Sequence, residues 1–492
     1  MDLDHDACYR AISQRDIRFD GRFFTGVKTT GIYCRPVCPA TTPKSTNITF
    51  YPTAAAAREA GLRPCLRCRP ETAPDMGAWR GTSNTVSRAL RLIEQGALDD
   101  APVEALATRL GVGGRQLRRL FHQHLGASPV AVAQTRRIHL AKQLIHETDM
   151  PMAQIAFASG FGSIRRFNEC FQDMFARPPA ALRRDGHTAG LAPAAGEGLT
   201  LTLRYRPPYD WDGICDFLRV RAIAGIERVE GNCYARSFAI DGHQGQISVE
   251  PAAVSHAIRA TIHTPDLAIL PAIIARLRRV FDLAADPDAI AAHLGQDPLL
   301  HDLVAACPGL RVPGAWDGFE LAIRAVLGQQ VTLAAAARLA GDLVARFGAP
   351  LEIPCGSLTH SFPAPERLAS ADLTVLGMPR ARAATLSAVA RARLENPGLF
   401  EARNDLDTTI RDLRAIPGIG DWTAQYIALR QMREPDAFPA ADIGLMRAVA
   451  TVENTARPDA AALLERARAW QPWRAYAAQY LWRADSAGRT GS

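Results

Sequence analysis

Cys34, Cys38, Cys65 and Cys68 stand as C-x3-C and C-x2-C pairs with twenty-six residues between them. Two short-spaced thiolate pairs match the tetrahedral demand of one zinc ion, and Pro36, Pro39 and Pro64 mark the tight turns such pairs come from. Four unrelated cysteines or two disulfides are the alternative, although Arg63-Pro64-Cys65-Leu66-Arg67-Cys68-Arg69-Pro70 has the form of a zinc knuckle. A second group with chemical potential is Ile416-Pro417-Gly418-Ile419-Gly420. There Gly418 and Gly420 let backbone N–H groups turn outward at the start of a helix, which makes an anion site able to grip a DNA phosphate. A plain αα-hairpin with glycine caps would look similar. A third group is Arg115, Arg118 and Arg119 with Arg165 and Arg166, placed to meet phosphates or base edges in a major groove. Their alternative is a solvated arginine face.

These groups need elements to position them. Short β-type runs such as Asn47–Tyr51 surround the cysteines. After Pro74 the pattern turns helical to about residue 184 and repeats itself: Leu106-Ala107, Gly111, Leu120-Phe121 and Pro129 recur as Ile155-Ala156, Gly160, Cys170-Phe171 and Pro179. Each copy reads as helix, glycine turn, helix, with Pro102 fitting the first turn of one helix and Gly111 a C-terminal cap. Residues 187–198 are small and read as a linker. Beyond them Leu201–Tyr205, Tyr234–Phe238 and Gln246–Val249 alternate like strands, and from about residue 266 the chain is mostly helical. One helix is expected from about Leu406 to the glycine hairpin and another from there through about Arg430.

Composition narrows the partners. The 492 residues suffice for about three domains. No apolar run reaches the roughly twenty residues that span a bilayer. The acidic N-terminus lacks a signal-peptide pattern, so a cytoplasmic, reducing setting without membrane attachment is expected. The net charge of +7 is uneven: residues 1–186 hold 26 Lys and Arg against 17 Asp and Glu, residues 187–492 hold 31 against 33. A basic first third implies a polyanion, most simply DNA. Lys28, Lys44 and Lys142 are the only lysines.

Gly31-Ile32-Tyr33-Cys34-Arg35-Pro36-Val37-Cys38, with Phe50-Tyr51 and the Cys65–Cys68 knuckle, resembles the zinc domain of the Ada methylation-response family. The helical repeat resembles an AraC-type DNA-binding domain. Pro207-Pro208-Tyr209-Asp210-Trp211, Tyr234–Ser237, Leu327–Val331, Leu376–Pro379, the glycine hairpin and Trp470–Arg474 resemble the AlkA-type 3-methyladenine glycosylases of the helix-hairpin-helix superfamily. The Pro-Cys-His-Arg motif of an alkylguanine methyltransferase is missing, and that activity is not expected. The implied fold is multidomain α+β. It comprises a small zinc-bound α/β domain (1–75), an all-α double helix-turn-helix domain (80–186), the linker, an α/β subdomain with a small antiparallel sheet (199–310) and a helical helix-hairpin-helix domain (311–492).

The resemblance assigns roles. Asp442 takes the place of the catalytic carboxylate, which stabilises an oxocarbenium-like sugar and orients water; Asp421 and Asp436 are nearby alternatives, expected instead to be a helix cap and a surface charge. Trp422, Tyr426 and Trp482 match the aromatic cleft that favours a flipped, cationic base. Gln329 and Gln330 match the segment that fills the gap, with Gln330 where a leucine wedge stands in the family. Related enzymes that also nick DNA carry a Schiff-base lysine where this chain has Trp422, and a monofunctional glycosylase is expected. Cys34 matches the thiolate that accepts a methyl group from a DNA methylphosphotriester, once, while Cys38, Cys65 and Cys68 remain structural ligands of a single zinc. Losing one thiolate charge would favour operator DNA, making the chain a transcription activator with an RNA polymerase contact expected. The chain is expected to be monomeric, and the glycosylase to need no cofactor. A transcription regulator with a non-catalytic clamp is the main alternative; a glycosylase merely anchored by a structural zinc is another.

Overall fold

The computed structural model describes residues 4–74, 84–99, 101–148, 150–186, 198–254, 256–401 and 406–490. All but the last residue of the expected linker lies outside them. The chain forms two compact units, one of residues 1–206 with 252–275, the other of residues 207–251 with 276–492. The segment expected to be one α/β subdomain, 199–310, contributes to both.

In the first unit, Asp4 caps the helix His5–Gln14 by accepting from the Asp6 N–H at 3.0 Å. Four strands follow in the spatial order Ile48–Tyr51, Phe24–Val27, Ile32–Cys34, Arg63–Pro64. The last pairing is parallel and the others antiparallel. Alternation puts Phe24 and Tyr33 in one small core and Phe23, Val27 and Ile48 in another. Neither core is large, so a domain of this size needs its cysteines bound together.

The repeat appears as Val103–Arg109 with Gly114–Leu125 and Met152–Ala158 with Ile164–Phe175, joined by the long helix Pro129–Glu147. Gly111 and Gly160 both adopt left-handed φ, +70° and +87°, where the chain reverses. Pro102 sits one residue earlier than expected, at the N-cap rather than in the first turn. The two halves keep separate cores, one around Leu106, Leu117 and Phe121, the other threaded by Phe161, Phe167, Phe171 and Phe175 with ring centroids 4.8–5.4 Å apart. The long helix is tied to the cysteine domain by a fully buried ion pair, Lys142 to Glu71 at 2.9 Å. An antiparallel ribbon, Leu199–Arg204 with Ala257–His263, completes this unit.

The second unit contains the antiparallel meander Glu227–Glu230, Cys233–Ile240 and His243–Pro251. One continuous core runs through its helices from Phe319 and Leu327 to Trp470 and Leu481. Buried charge is balanced: Arg236 pairs with Glu320 at 2.7 Å and Glu227 at 3.3 Å, and Arg324 pairs with both carboxylates. Two cations matched to two anions is the form in which charge survives burial. Among the described residues no helix is long and apolar enough to cross a membrane.

Candidate active site and metal centre

The four cysteines converge. Cys34 ends the strand Ile32–Cys34, Cys38 follows a turn closed by its own N–H to the Arg35 carbonyl at 3.1 Å, and Cys65 bonds through its N–H to the Tyr33 carbonyl at 3.0 Å. All four sulfurs lie within 4.8 Å of one another. A zinc ion with Zn–S bonds of about 2.3 Å needs tetrahedral sulfurs about 3.8 Å apart, which these chains can supply. Hydrogen bonding among the sulfurs splits their acidities. Its bonds to Cys38, Cys65 and Cys68 push the Cys34 thiol up, while Cys34 draws Cys65 far down and Cys38 to about 7. A divalent cation bound there would take over the part of those shared protons. No disulfide forms among the described residues.

The site is held by Arg35, which the sequence did not single out. Its guanidinium is buried, paired with Asp20 and bonded to the Cys68 carbonyl at 3.1 Å and to Thr72 at 2.6 Å; its backbone N–H donates to Cys68 Sγ at 3.3 Å. Cys65 and Cys68 are buried and Cys34 and Cys38 only half-buried, so Cys34 and Cys38 are the pair a reagent can approach.

On the helix-turn-helix repeat, Arg115, Arg118 and Arg119 are exposed on Gly114–Leu125, and Arg165 and Arg166 on Ile164–Phe175. Arg118 is ion-paired with Glu104 at 2.6 Å and Arg165 with Glu169 at 2.8 Å. Such exposed pairs are worth little and exchange easily for a phosphate. No ion pair forms at Arg115, Arg119 or Arg166 among the described residues.

The glycine hairpin connects the helices Leu406–Arg414 and Asp421–Arg430. Gly418 has φ +89°, and a Cβ there would lie 1.9 Å from Thr385 Oγ1, so the position admits only glycine. Gly420 is the N-cap, with no side chain closing the helix start and open space where its Cβ would be. The first N–H groups of Asp421–Arg430 therefore face outward at the positive end of the helix. Asp421 is thus the first helical residue, not the cap, because Gly420 occupies that place. Gln329 braces the turn, its Nε2 donating to the Gly418 carbonyl and Thr423 Oγ1, both at 3.2 Å. Next to it Gln330 is exposed and held at φ +55°, an unusual conformation for a side-chain-bearing residue.

Asp442 lies beyond this hairpin and is itself an N-cap, of the helix Ile443–Glu453. Its Oδ1 accepts from the Leu445 N–H at 3.0 Å and from Trp482 Nε1 at 3.0 Å, and its Oδ2 from Trp422 Nε1 at 2.6 Å. The two tryptophans expected to form a cleft wall also aim the carboxylate. Trp422 stacks on Tyr426 with centroids 5.2 Å apart and planes 8° from parallel, and Trp482 meets Tyr426 edge-on at 6.3 Å. Behind the rings lies the buried Arg430, with its guanidinium 5.4 Å from the Tyr426 ring and 5.2 Å from Trp482. Burial lowers Arg430 to about 10. Burial would raise Tyr426, but Arg430 and Arg221 outweigh it and pull the phenol below its ordinary value. Nothing in the pattern around Arg430 or Arg221 marked them in advance. Asp436, expected as a surface charge, makes a two-pronged bond to Arg474 at 2.6 and 2.8 Å.

A hairpin beside an indole-held carboxylate at a helix N-terminus, in a chain with four clustered thiols and a doubled helix-turn-helix, defines a DNA base-excision fold joined to a metal-binding, DNA-binding regulatory module. Residues 7–71 match the metal binding domain of Ada, 106–185 a helix-turn-helix domain, 200–317 the AlkA N-terminal domain, and 323–474 the HhH-GPD superfamily of base excision DNA repair proteins. A Mycobacterium tuberculosis protein described as "Probable bifunctional transcriptional activator/DNA repair enzyme AlkA" is 41% identical over 98% of this chain and 97% of its own length. The Escherichia coli DNA-3-methyladenine glycosylase 2 is 35% identical over 57% of this chain and 96% of its own. A solved 3-methyladenine DNA-glycosylase from Archaeoglobus fulgidus shares the fold, at TM-score 0.52 and 22% identity, over 58% of this chain and 98% of its own. The chain belongs to the family of bifunctional transcriptional activator/DNA repair proteins of the AlkA type.

Proposed function

We propose that this chain repairs alkylated DNA at two chemically different sites and reports one of the two events to transcription. At the first, an alkyl group on N3 or N7 of a purine makes the base a cationic leaving group. Trp422, Tyr426 and Trp482 receive the flipped base, as 3-methyladenine or 7-methylguanine, through stacking and cation–π attraction. Asp442 stabilises the positive charge that develops on the sugar and orients the water that attacks it. Gly418 and Gly420 hold a backbone phosphate through the helix N-terminus, and Gln330 enters the gap in the duplex. The observation that carries this reading is the Asp442 carboxylate, fixed by two indole N–H groups and one backbone N–H and still half-exposed to a reacting sugar. Lysine is absent after residue 142, so residues 143–492 offer no lysine amine to form a Schiff base. The glycosylase is therefore monofunctional and leaves an abasic site.

At the second site Cys34 accepts the methyl group of a methylphosphotriester. One bound zinc ion would be held by Cys34, Cys38, Cys65 and Cys68 and would keep the thiols ionised at neutral pH. Arg35 fixes the Cys68 side of the site. Methylation removes one negative charge, which eases the approach of operator phosphates to Arg115, Arg118, Arg119, Arg165 and Arg166. In this reading residues 1–75 sense, 80–186 bind the operator and contact RNA polymerase, and the remainder excises bases, all within a monomer.

One experiment addresses both sites. The protein is incubated with N-methylated DNA carrying methylphosphotriesters, and released bases and the mass of the Cys34 peptide are measured together. Release of 3-methyladenine with one added methyl on Cys34 is expected. Absence of base release removes the glycosylase reading, and strand cleavage without heat or base removes the monofunctional one.

A further inference from the structure

We propose that Thr25 is a substrate-positioning residue of the methyl-transfer site, its hydroxyl donating a hydrogen bond to a non-bridging oxygen of the phosphotriester whose methyl goes to Cys34. The inference rests on the reading of Cys34 as the acceptor. Thr25 pairs directly with Cys34 across the antiparallel strands Phe24–Val27 and Ile32–Cys34. Side chains of such a pair leave the sheet on the same face, with Cβ atoms about 5 Å apart. Both residues line one cavity of about 570 Å³, together with Val27 and Ile32 from the same face. Thr25 is only 3% exposed, and its Oγ1 has no hydrogen-bond partner.

A buried hydroxyl without a partner is uncommon and costs free energy unless something else satisfies it. Valine would fill the same space without that cost. The cavity that Thr25 and Cys34 both line is where a partner for that hydroxyl would enter. The cavity rim carries Arg63 and Arg67, and Arg177 from the second helix-turn-helix half, cations suited to the ionised phosphates on either side of a neutral triester.

The chemistry needs a donor there. As the Cys34 sulfur forms the S–CH₃ bond, the CH₃–O bond breaks and its electron pair stays on oxygen, so a neutral phosphotriester becomes a phosphodiester anion. No proton moves in this step. Charge appears on the phosphate oxygens, and a hydroxyl aimed at one of them binds the transition state better than the ground state.

The test compares wild type, Thr25→Val and Thr25→Ser in the full chain. Four quantities are read: the single-turnover rate of Cys34 methylation from a duplex with one methylphosphotriester, bound zinc by native mass, affinity for a duplex with one non-transferable methylphosphonate, and base release at Asp442. Thr25→Val is expected to slow methylation about 10- to 100-fold, less than removing a donor from an enclosed oxyanion hole because the cavity is open to water. Zinc, methylphosphonate affinity and base release should stay within about threefold, and Thr25→Ser should recover most of the rate. The proposal is overturned by a wild-type rate in Thr25→Val, by a loss explained by released zinc or by affinity alone, or by a serine variant as slow as valine. A wild-type protein that never methylates Cys34 overturns the acceptor reading itself, an outcome distinct from all of these.

Discussion

The cysteine cluster and the Asp442 cleft, the two sites proposed to meet damaged DNA, hold their acidic groups in opposite ways. The four sulfurs sit within 4.8 Å in a domain with two small cores, so whatever binds the sulfurs also holds the fold. Asp442 sits on a helix end in a unit with one continuous core; of the two indoles that orient it, Trp482 packs against that core and Trp422 stacks on Tyr426. A nucleophile that is also a structural ligand is spent when it reacts. A carboxylate steadied by neutral N–H donors is not altered by electrostatic work. The contrast fits a one-use sensor beside a reusable catalyst.

Stripping the metal is expected to break that contrast most sharply. A chelator should abolish Cys34 methylation and melt residues 4–74, seen as lost amide protection, while base release persists. Equal loss at both sites would mean that the two are not independent. Next in size is Asp442→Asn, expected to lower base release about 10³-fold with methylation of Cys34 unchanged; Cys34→Ser should do the reverse, and the pair of variants assayed on one DNA checks the division. Gly418→Ala forces a left-handed residue against Thr385 and should cost about 1–3 kcal/mol. Thermal unfolding and DNA affinity of the second unit read that effect, and Thr385→Ala should relieve its steric part but not its backbone part. Smallest is Trp482→Phe, which keeps a ring and removes one N–H from Asp442. A hydrogen bond worth about 1 kcal/mol predicts a roughly fivefold slower release. A far larger loss would show that the indole aims the carboxylate more than it stacks.

Much of both sites was legible because their residues are local in sequence. The C-x3-C and C-x2-C spacings, the Pro-Gly-Ile-Gly turn and the repeated glycines at 111 and 160 each act within a few residues of themselves, where backbone sterics decide. The strands near 201–205, 234–238 and 246–249 and the helices flanking the hairpin follow from periodicity alone, which reads burial on one face. Arg35, Arg430 and Arg221 were not legible. Their roles depend on partners such as Asp20 or Tyr426, whose proximity no short pattern encodes. Asp421 was misplaced by one step, since an aspartate and a glycine can both start a helix and only the turn geometry chose Gly420. Trp422 and Trp482 were expected as stacking surfaces. That their N–H groups both reach Asp442 depends on three separate helices meeting.

The sequence by itself determined the kinds of chemistry available: thiolates spaced for one metal, a glycine hairpin able to hold a phosphate, a carboxylate after it and no lysine to compete. Those follow from residue type and short-range geometry. Only the tertiary structure decided orientation and access: which thiols are half-buried, which donors hold each carboxylate oxygen, and that Thr25 stands unpartnered across from Cys34. The reason is that side-chain direction and exposure are set by packing between segments distant in the chain, and that packing is a property of the whole fold.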